Sequence, residues 1–154
     1  AMRPMTDEEI ATLVRRSKWA TICSASSEGV PYAVEATPYS DGGDVCFMIN
    51  PRGGTWKNLC SNPKVLLKYT LTNSRLTWWA GVSAFGKGRF DPDPEAISRG
   101  FLLLGEVMGE DYSGAASRLS RPGFSPLLRV TVEQWTGRCS AAPDAPLFTS
   151  SSPL

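Results

Sequence analysis

Six extended runs separated by turn-forming clusters narrow what this chain can fold into more than any other feature. They cover residues 19–23, 30–39, 44–50, 65–71, 76–90 and 127–135 and are rich in the β-branched and aromatic types that suit a pleated, half-buried surface. Ser26-Ser27-Glu28-Gly29, Ser40-Asp41-Gly42-Gly43 and Thr72-Asn73-Ser74-Arg75 lie between successive runs and are too short for a parallel crossover. Neighbouring strands are therefore expected to run antiparallel. Pro31 and Pro38 in the second run cannot donate to a ladder, so part of that strand should lie at an edge. Gly81, Gly86 and Gly88 in the fifth mark bulges or close approaches.

Helices are brief by comparison. Thr6-Asp7-Glu8-Glu9 forms a capping-box pattern ahead of Ile10, Leu13 and Val14, which share one helical face. Asp91-Pro92-Asp93-Pro94 opens another helix through Ala96, Ile97, Phe101, Leu102 and Leu104. A further helical or irregular piece over 113–120 should end at Arg121-Pro122-Gly123. The expected architecture is a mainly β, six-stranded antiparallel barrel with short helices outside, one domain over residues 1–138. Residues 139–154, rich in Ser, Pro and Ala, form a tail with no core of its own.

Composition removes whole classes of chemistry. The chain has no histidine, which excludes histidine-dependent triads, histidine metal sites and histidine-ligated haem. Its four cysteines are scattered without a C-x-x-C pair, so no zinc ribbon or dithiol motif is available. A net charge of +1 provides no global field for nucleic acid or membrane, and no apolar stretch reaches spanning length. A cytoplasmic protein with reduced thiols is the expectation. Gly81 to Lys87 imitates a P-loop, but it lies mid-strand and Gly88 stands where Ser or Thr is required. No residue has the context of a catalytic acid, base or nucleophile, so reactivity has to come from a bound cofactor.

Residues 45–63 contain the one candidate site. An apolar strand stops at Asn50-Pro51, a loop carries Arg52, Gly53 and Gly54, and a short helix opens with Thr55 and Lys57. Unsatisfied N–H groups at the helix start, the positive dipole end, a hydroxyl and two cations would converge on one phosphate.

The order of pieces resembles the flavin-binding split-barrel superfamily. These pieces are Gly29-Val30-Pro31-Tyr32, the Asp41-Gly42 turn, the strand ending at Asn50, Gly54-Thr55-Trp56-Lys57-Asn58-Leu59 and Asn62-Pro63-Lys64-Val65. Val82 to Phe90 resembles the long central strand, and Val130 to Arg138 the closing strand with its Trp-Thr-Gly-Lys ending. The superfamily includes pyridoxamine 5′-phosphate oxidase and, nearer in size and motif, the nitroimidazole-resistance proteins. The resemblance implies a split barrel, a homodimer and FMN at the subunit interface. It also implies an oxidoreductase passing electrons from a donor such as NAD(P)H through the flavin to a small nitro- or quinone-like acceptor. The alternative it leaves open is a non-catalytic carrier of FMN or haem. By this resemblance Thr55 and Lys57 hold the FMN phosphate, Arg52 adds charge, and Trp56 belongs to the cofactor site. Met48, Ile49 and Asn50 meet the cofactor at a strand end, Val34, Glu35 and Ala36 run along the ring, and Ser83 offers a hydroxyl. Trp56 stands where many members carry arginine, and Met48 where nitroimidazole-resistance proteins often carry histidine. The substrate-phosphate residues of the vitamin oxidase have no counterpart here.

Overall fold

The computed structural model describes residues 2–119 and 125–153. Among them the chain runs β1 (Arg3–Pro4), α1 (Asp7–Arg16), β2 (Ala20–Ala25), β3 (Pro31–Ala36), β4 (Tyr39–Asp41), β5 (Asp44–Met48), α2 (Gly54–Ser61), β6 (Lys64–Thr72), β7 (Trp79–Phe90), α3 (Pro94–Met108), α4 (Ser113–Leu119) and β8 (Leu127–Cys139). The strands form one sheet in the order β3-β2-β6-β7-β8-β5-β4, with β1 added to β8. All of its ladders are antiparallel, and it curls into a half-barrel. Alternation along β2, β6 and β7 turns one face inward. There Ile22, Phe47, Leu67, Tyr69, Val82 and Val130 form the main core. A second cluster, with Tyr39, Cys46, Ile97, Phe101 and Leu127, lies where α3 packs on β4 and β5.

Local sequence explains α1 fully. The Glu9 N–H donates to Thr6 Oγ1 at 3.1 Å and the Thr6 N–H donates to Glu9 Oε1 at 2.9 Å, completing the capping box. Arg3 Nη1 also donates to Glu9 at 2.7 Å, and the Leu147 N–H at 3.2 Å, so one carboxylate joins β1, α1 and the C-terminal segment. The Arg3 hydrogen bond is the main reason the Glu9 carboxyl is pulled down to about 2. A depressed folded value means that its stabilisation is present above the ordinary value of 4.5 and is lost as pH falls toward about 2. Glu9→Gln should therefore cost about 1–2 kcal/mol at neutral pH. Urea unfolding across pH checks this, and the deficit should shrink steadily below pH 4.5.

The sheet has eight strands where six runs were expected. The run 30–39 is broken at Thr37-Pro38 into β3 and β4, because a proline without an N–H cannot extend the ladder. β1, two residues long, was too short to show any periodicity. β7 begins at Trp79, three residues later than the expected run. Asn73 Oδ1 accepts the N–H groups of Thr77 and Trp78 at 3.0 and 3.3 Å, and Leu76 takes a left-handed φ of 57°, so this stretch is a loop. Trp78 is consequently outside the strand, with Nε1 donating to the Leu147 carbonyl at 3.0 Å. The segment after β8 has no helix or strand but packs on the barrel's core through Leu147, which is buried. Ser120 and the expected break at Arg121-Pro122-Gly123 lie outside the described residues. Among the described residues no helix is long and apolar enough to cross a membrane, and no group of three acidic, cysteine or histidine side chains is placed to hold a metal ion.

Candidate functional site

The chain leaves β5 at Met48, is anchored where the Ile49 N–H donates to the Pro126 carbonyl at 2.9 Å, and turns on Asn50. Asn50 Oδ1 accepts the Arg52 N–H at 3.0 Å and its carbonyl accepts the Gly53 N–H at 3.2 Å. Gly53 is then the N-cap of α2 with no side chain to cap it. The first helical bond from this cap is Lys57 N–H to the Gly53 carbonyl, at 3.1 Å, so the N–H groups of Gly54, Thr55 and Trp56 lie ahead of it without intrahelical acceptors.

Thr55 is 3% exposed and its hydroxyl has no hydrogen-bond partner. Buried hydroxyls almost always have one. Lys57 sits exposed in the same first turn. Tyr32 of β3 lies against the corner: a Cβ on Gly54 would come within 2.8 Å of its Cζ, so a larger residue there would displace the ring. Uncapped N–H groups, an unpartnered hydroxyl, a positive dipole end and a cation form a receptor for an anion with several acceptor oxygens. A phosphomonoester fits that donor set.

From this corner an edge strand leads away. β3 pairs only with β2, leaving its other edge free from Tyr32 beside α2 to Ala36. Four residue steps make that edge about 13 Å long. Val34 and Ala36 pack back on the main core and Glu35 is exposed. The free backbone groups can meet the polar rim of a planar ligand whose phosphate is held at α2.

The other expected site residues lie partly in this corner and partly beyond it. Arg52 is exposed on the loop, and Ile49 packs on the main core. Trp56, in the first turn of α2, is half-buried and meets Phe90 edge-on, with ring centroids 6.5 Å apart. Met48 belongs to the second cluster, where its Cε occupies the space a Cβ on Gly100 would need. Ser83 lies three strands from Glu35 along the row Glu35, Thr21, Lys68, Ser83, and accepts a hydrogen bond from Lys68 Nζ at 3.1 Å. It lines a separate pocket of about 320 Å³ with Gly81 and Arg138. Tyr32 was not foreseen as a site residue; the Pro31-Tyr32 pair and Gly54 were both visible in the sequence, but nothing local joins them.

The sequence model described as pyridoxamine 5′-phosphate oxidase matches residues 6–139. No curated protein sequence matches the chain. Solved structures share the fold at low identity. A candidate 5-nitroimidazole antibiotic resistance protein from Bacteroides thetaiotaomicron is 19% identical, with a TM-score of 0.70 over 90% of this chain and 89% of that one. An FAD-binding protein from Mesorhizobium loti is 18% identical, with a TM-score of 0.71 over 92% and 98%. The haem storage protein HutZ from Vibrio cholerae is 18% identical, with a TM-score of 0.61 over 83% and 90%.

Proposed function

Because the chain belongs to the pyridoxamine 5′-phosphate oxidase family, we propose that it binds FMN and works as a flavin-dependent oxidoreductase, passing electrons from NAD(P)H to a small nitro- or quinone-like acceptor. The observation that carries this reading is the buried, unpartnered Thr55 hydroxyl at the uncapped start of α2, beside Lys57. Thr55 and the N–H groups of residues 54–56 would hold the phosphate oxygens while Lys57 neutralises their charge. The free edge of β3 would orient the ring by backbone hydrogen bonds, and Tyr32 would shield the phosphate end from water. When bound, the flavin supplies the electron chemistry; the chain positions it and excludes solvent.

The purified protein should carry flavin absorbance, release FMN on denaturation and oxidise NAD(P)H when an acceptor is added. A protein with no affinity for FMN would overturn the reading, and one that holds FMN without turnover would be a carrier. Haem carriage, suggested by the Vibrio cholerae neighbour, finds no histidine ligand in this chain.

We also propose that two copies pair around the cofactor. Between its pairing with β5, which ends at Val130, and the Met5 N–H bonded to its Gly137 carbonyl, β8 leaves one edge open over residues 131–136. Nearby Phe85 is 44% exposed. Light scattering should give twice the chain mass; a flavin-loaded monomer would contradict the arrangement.

A further inference from the structure

Against α1, on the inner side of the curled sheet, lies a cavity of about 880 Å³, within the size range of small-molecule sites. Ile10 and Val14 of α1, Val45 of β5, Tyr69 of β6 and Trp135 of β8 form its apolar walls. Trp135 lies on the stretch of β8 that has no partner on one edge, between Val130 and the Met5 N–H bonded to the Gly137 carbonyl at 2.8 Å. Tyr69 is fully buried, its hydroxyl has no hydrogen-bond partner, and its ring centroid lies 6.2 Å from that of Trp135. Three exposed cations, Arg15, Arg16 and Lys18, also line the cavity, against one acidic side chain, Asp7, a full helix length away at the start of α1. Arg16 lies over the Phe148 ring at 5.6 Å, which leaves Arg15 and Lys18 as the more available pair.

This cavity is distinct from the phosphate corner. Ser17, Lys18 and Pro38 place it at one end of the β2–β3 hairpin, whereas Tyr32 and Ser24 mark the other end, against α2. Pro38 and Tyr32 are six residue steps apart, about 20 Å if extended.

An apolar chamber with an aromatic wall and a cationic mouth selects one ligand chemistry. We propose that the cavity binds an apolar carboxylic acid, its hydrocarbon or aromatic body between α1, Tyr69 and Trp135 and its carboxylate at Arg15 and Lys18. A neutral molecule would leave the cations unused, and an organic cation would be repelled by them.

The test uses the full chain, with 2-naphthoate and its neutral isostere 2-naphthamide as probes in calorimetric titration. Naphthoate should bind the parent. Replacing Arg15 and Lys18 together by glutamine should weaken naphthoate about tenfold and change naphthamide less than about twofold. Ala11→Trp, which fills the cavity from an exposed helical position, should weaken both probes at least about tenfold. Thermal unfolding confirms that each variant is folded. Absence of naphthoate binding to the parent would overturn the proposal, as would equal losses of both probes in the glutamine variant. Displacement of naphthoate by FMN would also overturn it, assigning the cavity to the flavin. A parent that binds naphthoate but no FMN would remove the oxidoreductase reading and leave this one standing.

Discussion

Lys57→Ala should weaken FMN about tenfold to a hundredfold while changing riboflavin affinity less than about twofold. Riboflavin shares the ring and ribityl chain and lacks only the phosphate. Lys57 stands in the first turn of α2, where the N-cap Gly53 offers no side chain and the Thr55 hydroxyl lacks a partner. Losing the ammonium removes a charge-assisted bond to the phosphate and leaves the neutral donors in place. Fluorescence titration of both ligands checks this, and equal losses would show that Lys57 does not touch the phosphate. Thr55→Val is the companion variant. It replaces a buried hydroxyl by an isosteric methyl, so the apo protein should lose no stability while FMN affinity falls about tenfold. A clear drop in apo stability would mean that the hydroxyl serves the fold.

The largest effect on stability is expected at Arg129 of β8. Its side chain is buried in β8. Nη1 donates to Asp41 Oδ2 at 2.9 Å, Nη2 to the Asp41 carbonyl at 3.0 Å, and Nε to Asp44 Oδ2 at 3.1 Å. Arg99 of α3 donates to the same Asp41 carboxylate at 3.0 Å, so the cluster fastens β4, β5, β8 and α3 together. Arg129→Met keeps much of the volume but removes the hydrogen bonds to both carboxylates, leaving Asp41 with Arg99 and Asp44 with the Thr131 hydroxyl. A cost of about 2–3 kcal/mol at neutral pH follows. Hydrogen bonds from Arg99 first and Arg129 next, outweighing burial, hold the Asp41 carboxyl below its ordinary value. Its share of the stability is therefore present above pH 3.8 and lost below. Chemical unfolding should show the parent and variant converging as pH falls through that region. A deficit that stays constant with pH would mean that the loss comes from packing.

Elements that depend on residues close in sequence were legible before the fold was known. The α1 capping box, the Asp93 cap and Pro94 opening of α3, and the Asp41–Gly43 turn all match the structure, because a cap or tight turn is settled within four or five residues. The uncapped start of α2 was legible for the same reason. β1 and the division of β3 from β4 were not, since a strand of two or three residues has no period to read and exists only through its partner. Met48 was placed at the cofactor through its backbone at the strand end; that its side chain would reach Gly100, 52 positions later, was not legible.

Sequence alone determined that this chain would build an antiparallel sheet, open a helix whose first turn carries Thr55 and Lys57, and lack histidine chemistry, since these follow from local backbone preferences and composition. Only the tertiary structure decided that Tyr32 lies on Gly54, that Arg129 meets Asp41 and Asp44 from more than eighty residues away, and that the sheet stays open over a large apolar cavity. Those outcomes depend on register, curl and side-chain volume across strands distant in the chain, and no local stretch contains that information.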